Sequence, residues 1–359
     1  MPNAIRMVRP GYYLATAAIL LALVVVVLGA FTRLVDAGLG CPDWPGCYGH
    51  LTWPDEHHEI AKAEAAFPDS PVDTDKTWPE MVHRYCASLL GLVIIGLNII
   101  GWRARKTDGE YPFGLCVGLL LLVICQGAFG AWTVTLKLWP QVVTAHLLGG
   151  FSLLTLLWLL RLRLAMQPMR LNSMQVSTAQ RLKPWVWGAL AVVIVQIVLG
   201  GWTSSNYAAL ACPDFPTCQG QWLPPTDFSE GFNFLQHIGP NYLGGQLDND
   251  ARVAIHLSHR IGAIVVSVYV VLLGLALWRS GIAAVRRLAL VLWVILALQV
   301  SLGISNIIFS LPLPVAVAHN AGGAILLLTL VTVATRLYYA ARETNNNFAG
   351  QQLSAKGAL

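Results

Sequence analysis

Trp78-Pro-Glu-Met-Val-His-Arg84 and Ala254-Ile-His-Leu-Ser-His-Arg260 stand at the start of two long apolar runs and end on the same His-Arg pair. Three residues before each histidine lies a second titratable side chain, Glu80 in one copy and His256 in the other. On a helix that spacing puts both groups on one face. Reading these stretches as the mouths of membrane helices decides the fold, and the exchange of Glu80 for His256 shows that the two copies are chemically unequal.

Of 359 residues, 56% are hydrophobic and only 11% charged, and the mean hydropathy is +0.60. That composition excludes an ordinary soluble domain and favours the membrane class. Apolar stretches of spanning length run over Tyr12 to Leu34, Met81 to Trp102, Phe113 to Val134, Val142 to Leu160, Trp185 to Ser205, Val253 to Trp278, Ala283 to Phe309 and Pro314 to Leu337. The sequence therefore predicts an all-α integral membrane protein with eight transmembrane helices.

Orientation follows from the basic residues. With the N-terminus inside, 16 of the 23 Lys and Arg residues fall on the cytoplasmic side, from Arg6 and Arg9 through Arg103, Arg161, Arg170 and Arg279 to Arg342 and Lys356. The first long outer loop instead carries Asp55, Glu56, Glu59, Glu64, Asp69, Asp73 and Asp75. Both termini are expected in the cytoplasm and both cysteine loops in the periplasm. The net charge of +5 is thus a topology signal and calls for no nucleic-acid partner. The first span is too long for a signal-peptide core and no small-x-small cleavage site follows, so it reads as a retained anchor. No Arg- and Ser-rich transit segment precedes it, which favours a multi-pass protein of the bacterial inner membrane. The polar tail 343–359 is expected to be disordered.

Comparing the chain with itself reveals a repeat. Leu28-Gly-Ala-Phe-Thr32 leads to Cys41-Pro-Asp-Trp-Pro-Gly-Cys47 over the same interval by which Leu199-Gly-Gly-Trp-Thr203 leads to Cys212-Pro-Asp-Phe-Pro-Thr-Cys218. Gln126 precedes His146 by 20 residues and Gln299 precedes His319 by 20, and His-x-x-Gly-Gly closes both stretches. The expectation is two tandem four-helix bundles, 1–165 and 184–342, joined by a basic cytoplasmic linker at 166–183. Because both halves start on the same side, a pseudo-twofold axis would lie along the membrane normal.

His83, His146, His259 and His319 all fall near the outer ends of the second, fourth, sixth and eighth spans. Ionisable groups in the membrane are costly and mark functional sites. Two neutral imidazoles at equal depth on facing helices are how a four-helix bundle holds a haem iron from both sides. A zinc or copper site is the alternative, but it would want three or four clustered donors. Gly149 and Gly150, and Gly322 and Gly323, lie one turn beyond the second histidine of each half, where they would admit either a macrocycle or a close-packed helix. Arg84 and Arg260, at the rim, are candidates for pairing with haem propionates or for snorkelling to the interface.

Four of the seven cysteines lie in the outer loops, and their spacing, with prolines between, predicts the disulfides Cys41–Cys47 and Cys212–Cys218. The loops would then be lids over the two mouths or thiol-exchange sites, with the lid preferred. Cys86, Cys116 and Cys125 lie within spans and read as core residues.

With Glu80-x-x-His83, the paired Cys-Pro-Asp-x-Pro-x-Cys loops and the His-x-x-Gly-Gly elements together, the chain resembles the haem A synthase family over essentially its full length. The resemblance implies oxidation of the C8 methyl of haem O to a formyl group by successive oxygen-dependent hydroxylations, supplying haem A to terminal oxidases. It implies a resident haem b on His259 and His319, the substrate haem on His83 and His146, and Glu80 as the catalytic carboxylate. Haem O as a lipidic substrate, molecular oxygen and an electron donor of unspecified identity are the implied partners, with the haem O synthase as a further candidate. Glu80 could instead cap the start of its helix. Two rival functions are a diheme carrier linked to quinol and a membrane thiol-oxidising enzyme acting through the loop cysteines.

Overall fold

The computed structural model describes residues 8–165 and 171–356, with side chains described to residue 339. Arg6, Arg170, the 166–170 part of the expected linker and residues 357–359 lie outside the described residues. Among the described residues the named elements are all helices: α1 (Tyr12–Leu34), α2 (His57–Ala66), α3 (Thr74–Ala104), α4 (Phe113–Thr135), α5 (Pro140–Ala165), α6 (Ser173–Ser205), α7 (Phe228–Gly231), α8 (Asn249–Trp278), α9 (Ala283–Ile308) and α10 (Leu313–Lys356). Eight of these are long and apolar enough to cross a membrane, and α2 and α7 are short helices of the two long loops.

Several boundaries differ from the expectation, and three of them have a cause that can be read locally. Helix α3 begins seven residues before Met81, because Asp73 accepts the Asp75 N–H at 3.1 Å and so caps a polar first turn that hydropathy does not register. Helix α6 begins at Ser173 through a capping box in which the Asn172 and Gln175 side chains each accept the other's backbone N–H, so the expected linker is helical from that point. Helix α10 continues through Lys356. The polar tail expected to be disordered is helical to that residue, since it continues an existing helix and contains no proline.

Helices α1, α3, α4 and α5 pack in a ring in which α1 and α4 each touch both α3 and α5. Helices α6, α8, α9 and α10 form a second ring in the same way, and the rings meet through α5 with α6 and α10 and through α1 with α10. Among the described residues, α3 does not approach α5, nor α8 approach α10, so these are diagonal pairs. At the seam between rings the Trp158 Nε1–H donates to Thr332 Oγ1 at 2.8 Å.

The core lies below the histidines. Two turns beyond His83, His146, His259 and His319 come Leu90, Leu153, Val266 and Leu326, all buried, and from there Ile94, Leu97, Leu157, Leu160, Val270, Leu273, Leu330 and Val333 continue the same faces. Tight packing of this kind, rather than escape from water, holds helices together in lipid. It fills each ring on one side of the histidine level and leaves that level for polar chemistry.

Above the histidines the two cysteine loops fold alike. Each has a cis X-Pro bond, Trp44-Pro45 and Phe215-Pro216. The Asp43 carboxylate accepts the N–H groups of Tyr48 (2.6 Å) and Gly49 (2.9 Å), and the Asp214 carboxylate those of Gln219 (2.5 Å) and Gly220 (3.1 Å). Gly49 and Gly220 turn the chain at positive φ, 76° and 73°. The expected disulfides Cys41–Cys47 and Cys212–Cys218 are present, and all four sulfurs are buried.

Candidate functional site

Each ring places one histidine on each of its diagonal helices, His83 on α3 with His146 on α5, and His259 on α8 with His319 on α10. The early starts of α3 and α8 put His83 about two turns and His259 about one turn further from the helix N-terminus than the apolar runs imply. In the second ring the two imidazoles face each other with centroids 6.5 Å apart and planes nearly perpendicular. Two metal–imidazole bonds of about 2 Å each, with the rings themselves, span roughly that distance.

The backbone makes room for each ring. A methyl carbon on Gly29 would lie 2.9 Å from His83 Cε1, one on Gly200 3.1 Å from His259 Cε1, one on Gly303 3.1 Å from His319 Cε1, and one on Gly130 3.6 Å from His146 Cε1. These four glycines, on α1, α6, α9 and α4, are the close-approach positions. The sequence pointed instead to the His-x-x-Gly-Gly pairs. In the structure Gly149 lies under the Gln126 side chain and Gly322 under that of Gln299, while a methyl on Gly150 would meet nothing within 4 Å. The signal that could have identified the right glycines was already in the repeat, where Leu28-Gly29 aligns with Leu199-Gly200.

The donor set fits a group held from two sides. His83, His146 and His319 each have a buried Nδ1 without a hydrogen-bond partner. Among the described residues no group of three or more His, Cys, Asp or Glu side chains comes together, so each ring offers paired imidazoles and not a zinc-type cluster. A planar macrocycle with an iron at its centre needs no further protein ligand.

One turn before His83, Glu80 is buried at 4% exposure. Its Oε2 accepts the Cys41 N–H at 2.9 Å and its Oε1 pairs with Arg84. It does not cap α3, since Asp73 does. His256 occupies the matching place: its Nδ1 lies 3.3 Å from the Cys212 N–H and its Nε2 3.3 Å from the Arg260 Nε–H. A carboxylate accepts both bonds, whereas a neutral imidazole has one acceptor nitrogen and can accept only one.

Arg84 and Arg260 are not free at the rim. Arg84 donates to the carbonyls of Asp43 (3.0 Å), Pro45 (3.1 Å) and Gly46, and Arg260 to those of Thr217, Asp214 (both 2.8 Å) and Cys212 (2.9 Å). Each guanidinium fork holds a cysteine loop onto its helix. This loop clamp depends on the folded shape of the loop and so is invisible in residue spacing.

Comparison with known proteins agrees with this architecture. A family profile described as cytochrome oxidase assembly protein matches residues 12–331, which covers both rings. A heme A synthase of Shewanella oneidensis is 46% identical over 333 residues, covering 93% of this chain and 98% of that protein. A heme A synthase of Paracoccus denitrificans is 28% identical over 354 residues, covering 90% and 89%. With both histidine pairs and both cysteine loops inside the matched region, the chain belongs to the haem A synthase family.

Proposed function

We propose that this protein oxidises the C8 methyl of haem O to the formyl group of haem A, with the first ring holding the substrate haem between His83 and His146 and the second holding haem b between His259 and His319. The observation that carries the reading is the pair of diagonal histidines in each ring, backed by glycines and differing one turn away in Glu80 against His256. Like the residues, the halves share a plan and part at one titratable group. We read the rings as tandem repeats about an axis along the membrane normal, in a bacterial inner membrane with termini inside and cysteine loops outside.

Haem b, when bound, supplies one-electron transfer. The reaction needs two hydroxylations of one methyl carbon and loss of water, with molecular oxygen and an external electron donor as co-reactants. The chain's part is to hold the substrate, keep water out and handle protons. His83 and His146 orient haem O. The cysteine loops, clamped by Arg84 and Arg260, cover the outer mouths, and the burial of all four sulfurs supports lids over thiol exchange. Glu80 is the one carboxylate within a turn of a site histidine, and it is the group suited to hold and pass a proton there. His256 stands at the same place in the other half without a negative charge, which supports placing the oxidation in the first ring and weighs against two equivalent electron-carrying haems.

Glu80→Gln tests this. The second half keeps its loop closed with His256, which has a single acceptor nitrogen, so a glutamine with a single acceptor oxygen should keep the first loop closed too. The expected protein folds, retains haem b and haem O, and forms little or no haem A in cells lacking another synthase. Near-normal haem A would refute the role. Extraction and chromatography of the bound haems tests the reading as a whole, haem O or A beside haem B being the expected result.

A further inference from the structure

The two cysteine loops carry large apolar side chains into the open at matched positions. The register that sets Cys47 on Cys218 sets Trp44 on Phe215 and Leu51 on Trp222. In each loop a single antiparallel bridge, Cys47 with His50 and Cys218 with Gln221, closes the turn, and the next residue is the tip. Leu51 is 87% exposed, Trp222 73% and its neighbour Leu223 88%, while Trp44 and Phe215 are half-exposed. Apolar residues exposed singly need no explanation, but the same two places exposed in both repeats call for one.

The helix beneath the first tip fixes its depth. Tyr85, Leu89, Leu92 and Trp102 form one exposed apolar stripe down α3, and Ile261, Val265, Val268 and Trp278 stand at the matching places on α8. Among the described helices α3 packs only on α1 and α4, and α8 only on α6, α9 and the short α7, so in a membrane both stripes face lipid. The Tyr85 hydroxyl donates to the Leu51 carbonyl, which seats the first tip over the loop-side end of its stripe. Tyr85 lies four residues beyond Met81, where the apolar run starts, or about 6 Å along the axis, and its side chain leans back toward the helix N-terminus. Its hydroxyl therefore reaches the level where headgroups meet hydrocarbon, a level that tyrosine favours. Leu51 is at that level too. In the second loop the bonds from Arg260 to Cys212, Asp214 and Thr217 reproduce the seat, and the tip is Trp222, a residue type enriched at the same boundary.

We propose that Leu51 in one loop and Trp222 with Leu223 in the other insert into the loop-side leaflet and anchor the two lids in lipid. The seam between the rings runs through α1, α5, α6 and α10, so α3 and α8 stand on opposite flanks of it and the tips lie far apart. A soluble partner would have to reach both flanks at once. A bilayer meets both because it is a plane and the tips share a depth. Phospholipid is thus the partner, met through its acyl chains at the headgroup boundary and not through its charge. Each lid is then held on its helix side by a guanidinium and on its outer side by lipid, whichever haem each ring holds.

The test uses full-length protein in phosphatidylcholine nanodiscs, with the photocrosslinker p-benzoylphenylalanine replacing one residue at a time and the products weighed after irradiation. Leu51 and Trp222 are the test positions. Leu89, in the middle of the α3 stripe, is the lipid-facing control, and Lys62, exposed on α2 of the first loop, is the water-facing one. Burial of a leucine- or tryptophan-sized side chain favours lipid over water by about 10–100-fold. Lipid adducts at Leu51 and Trp222 should exceed those at Lys62 by that order and approach those at Leu89. A second measurement keeps the native side chain: the emission lost in Trp222→Phe should be quenched in the wild type by phosphatidylcholine brominated near the headgroup. Adducts at either tip no more frequent than at Lys62, while Leu89 labels, would overturn the proposal. So would adducts to a second copy of the chain in place of lipid, or Trp222 emission untouched by the brominated lipid.

Discussion

Gly29→Ala gives the sharpest test of the site geometry. The added methyl would lie 2.9 Å from His83 Cε1, against about 3.5–4.0 Å for a relaxed carbon contact, so the imidazole must retreat by roughly 0.6–1 Å. Overpacking of this size costs about 1–3 kcal/mol, or roughly 5- to 150-fold against the ligated position of His83. Alanine is the better helix former by about 1 kcal/mol, so α1 itself should not suffer. Spectra of protein loaded with haem O should therefore show a smaller low-spin share and faster loss of that haem, with haem b unchanged. Gly130→Ala is the control, because its methyl would sit at an ordinary 3.6 Å from His146 and should be tolerated. Gly200→Ala and Gly303→Ala, at 3.1 Å from His259 and His319, should perturb haem b to an intermediate degree. Equal effects of Gly29→Ala and Gly130→Ala, or none from either, would refute the reasoning.

The loops supply the remaining tests. Arg260→Lys leaves a single ammonium where a fork holds the three carbonyls of Cys212, Asp214 and Thr217, at about 1.5–3 kcal/mol for each bond not remade, and should speed reduction of Cys212–Cys218 by a phosphine. Removing the first disulfide with Cys41→Ser and Cys47→Ser should destabilise the loop by about 2 kcal/mol while the haem spectra persist. Lost haem A formation with both haems and a closed loop retained would instead favour thiol exchange. The Asp214 carboxyl is held below its usual range by the Thr217 hydroxyl and then by the Gly220 and Gln219 N–H groups. Its contribution is thus present above the unfolded value of about 3.9 and lost as pH falls below it. Phosphine reduction of Cys212–Cys218 should accelerate only below about pH 4, and Asp214→Asn should abolish that acid step.

The eight spans were legible because lipid demands about 20 apolar residues, a signal that survives without any tertiary knowledge. The helix ends were not. Thr74 to Glu80 and Ser173 to Pro184 are polar enough to pass for loop, and only the Asp73 cap and the Asn172–Gln175 box reveal that they are helical. The pairing of His83 with Glu80 could be read from spacing. The partners of Glu80 could not, because Cys41 and Arg84 meet it only once the loop has folded back over α3. Gln126 and Gln299 were visible as markers of the repeat, yet only the folded helices show that their side chains lie over Gly149 and Gly322.

Both faces of the first ring are fastened by polar contacts, but only the loop face carries a disulfide. On the loop face, the Cys41–Cys47 disulfide closes only the loop that follows α1, and that loop is held to α3 by the Arg84 and Glu80 hydrogen bonds, while α4 turns straight into α5 through Lys137 and Leu138, both at positive φ. On the face of the termini the ties are the Arg9–Asp108 ion pair at 2.7 Å, the Tyr111 hydroxyl on the Pro10 carbonyl and Arg161 on Tyr12. The disulfide fixes the shape of the loop, whereas the ties between loop and helix, like those on the other face, are hydrogen bonds and ion pairs that can open and reclose. The stapled stretch from Cys41 to Cys47 is therefore a pre-shaped cap held to α3 through two side chains, Glu80 and Arg84, one turn from each other on the same helix.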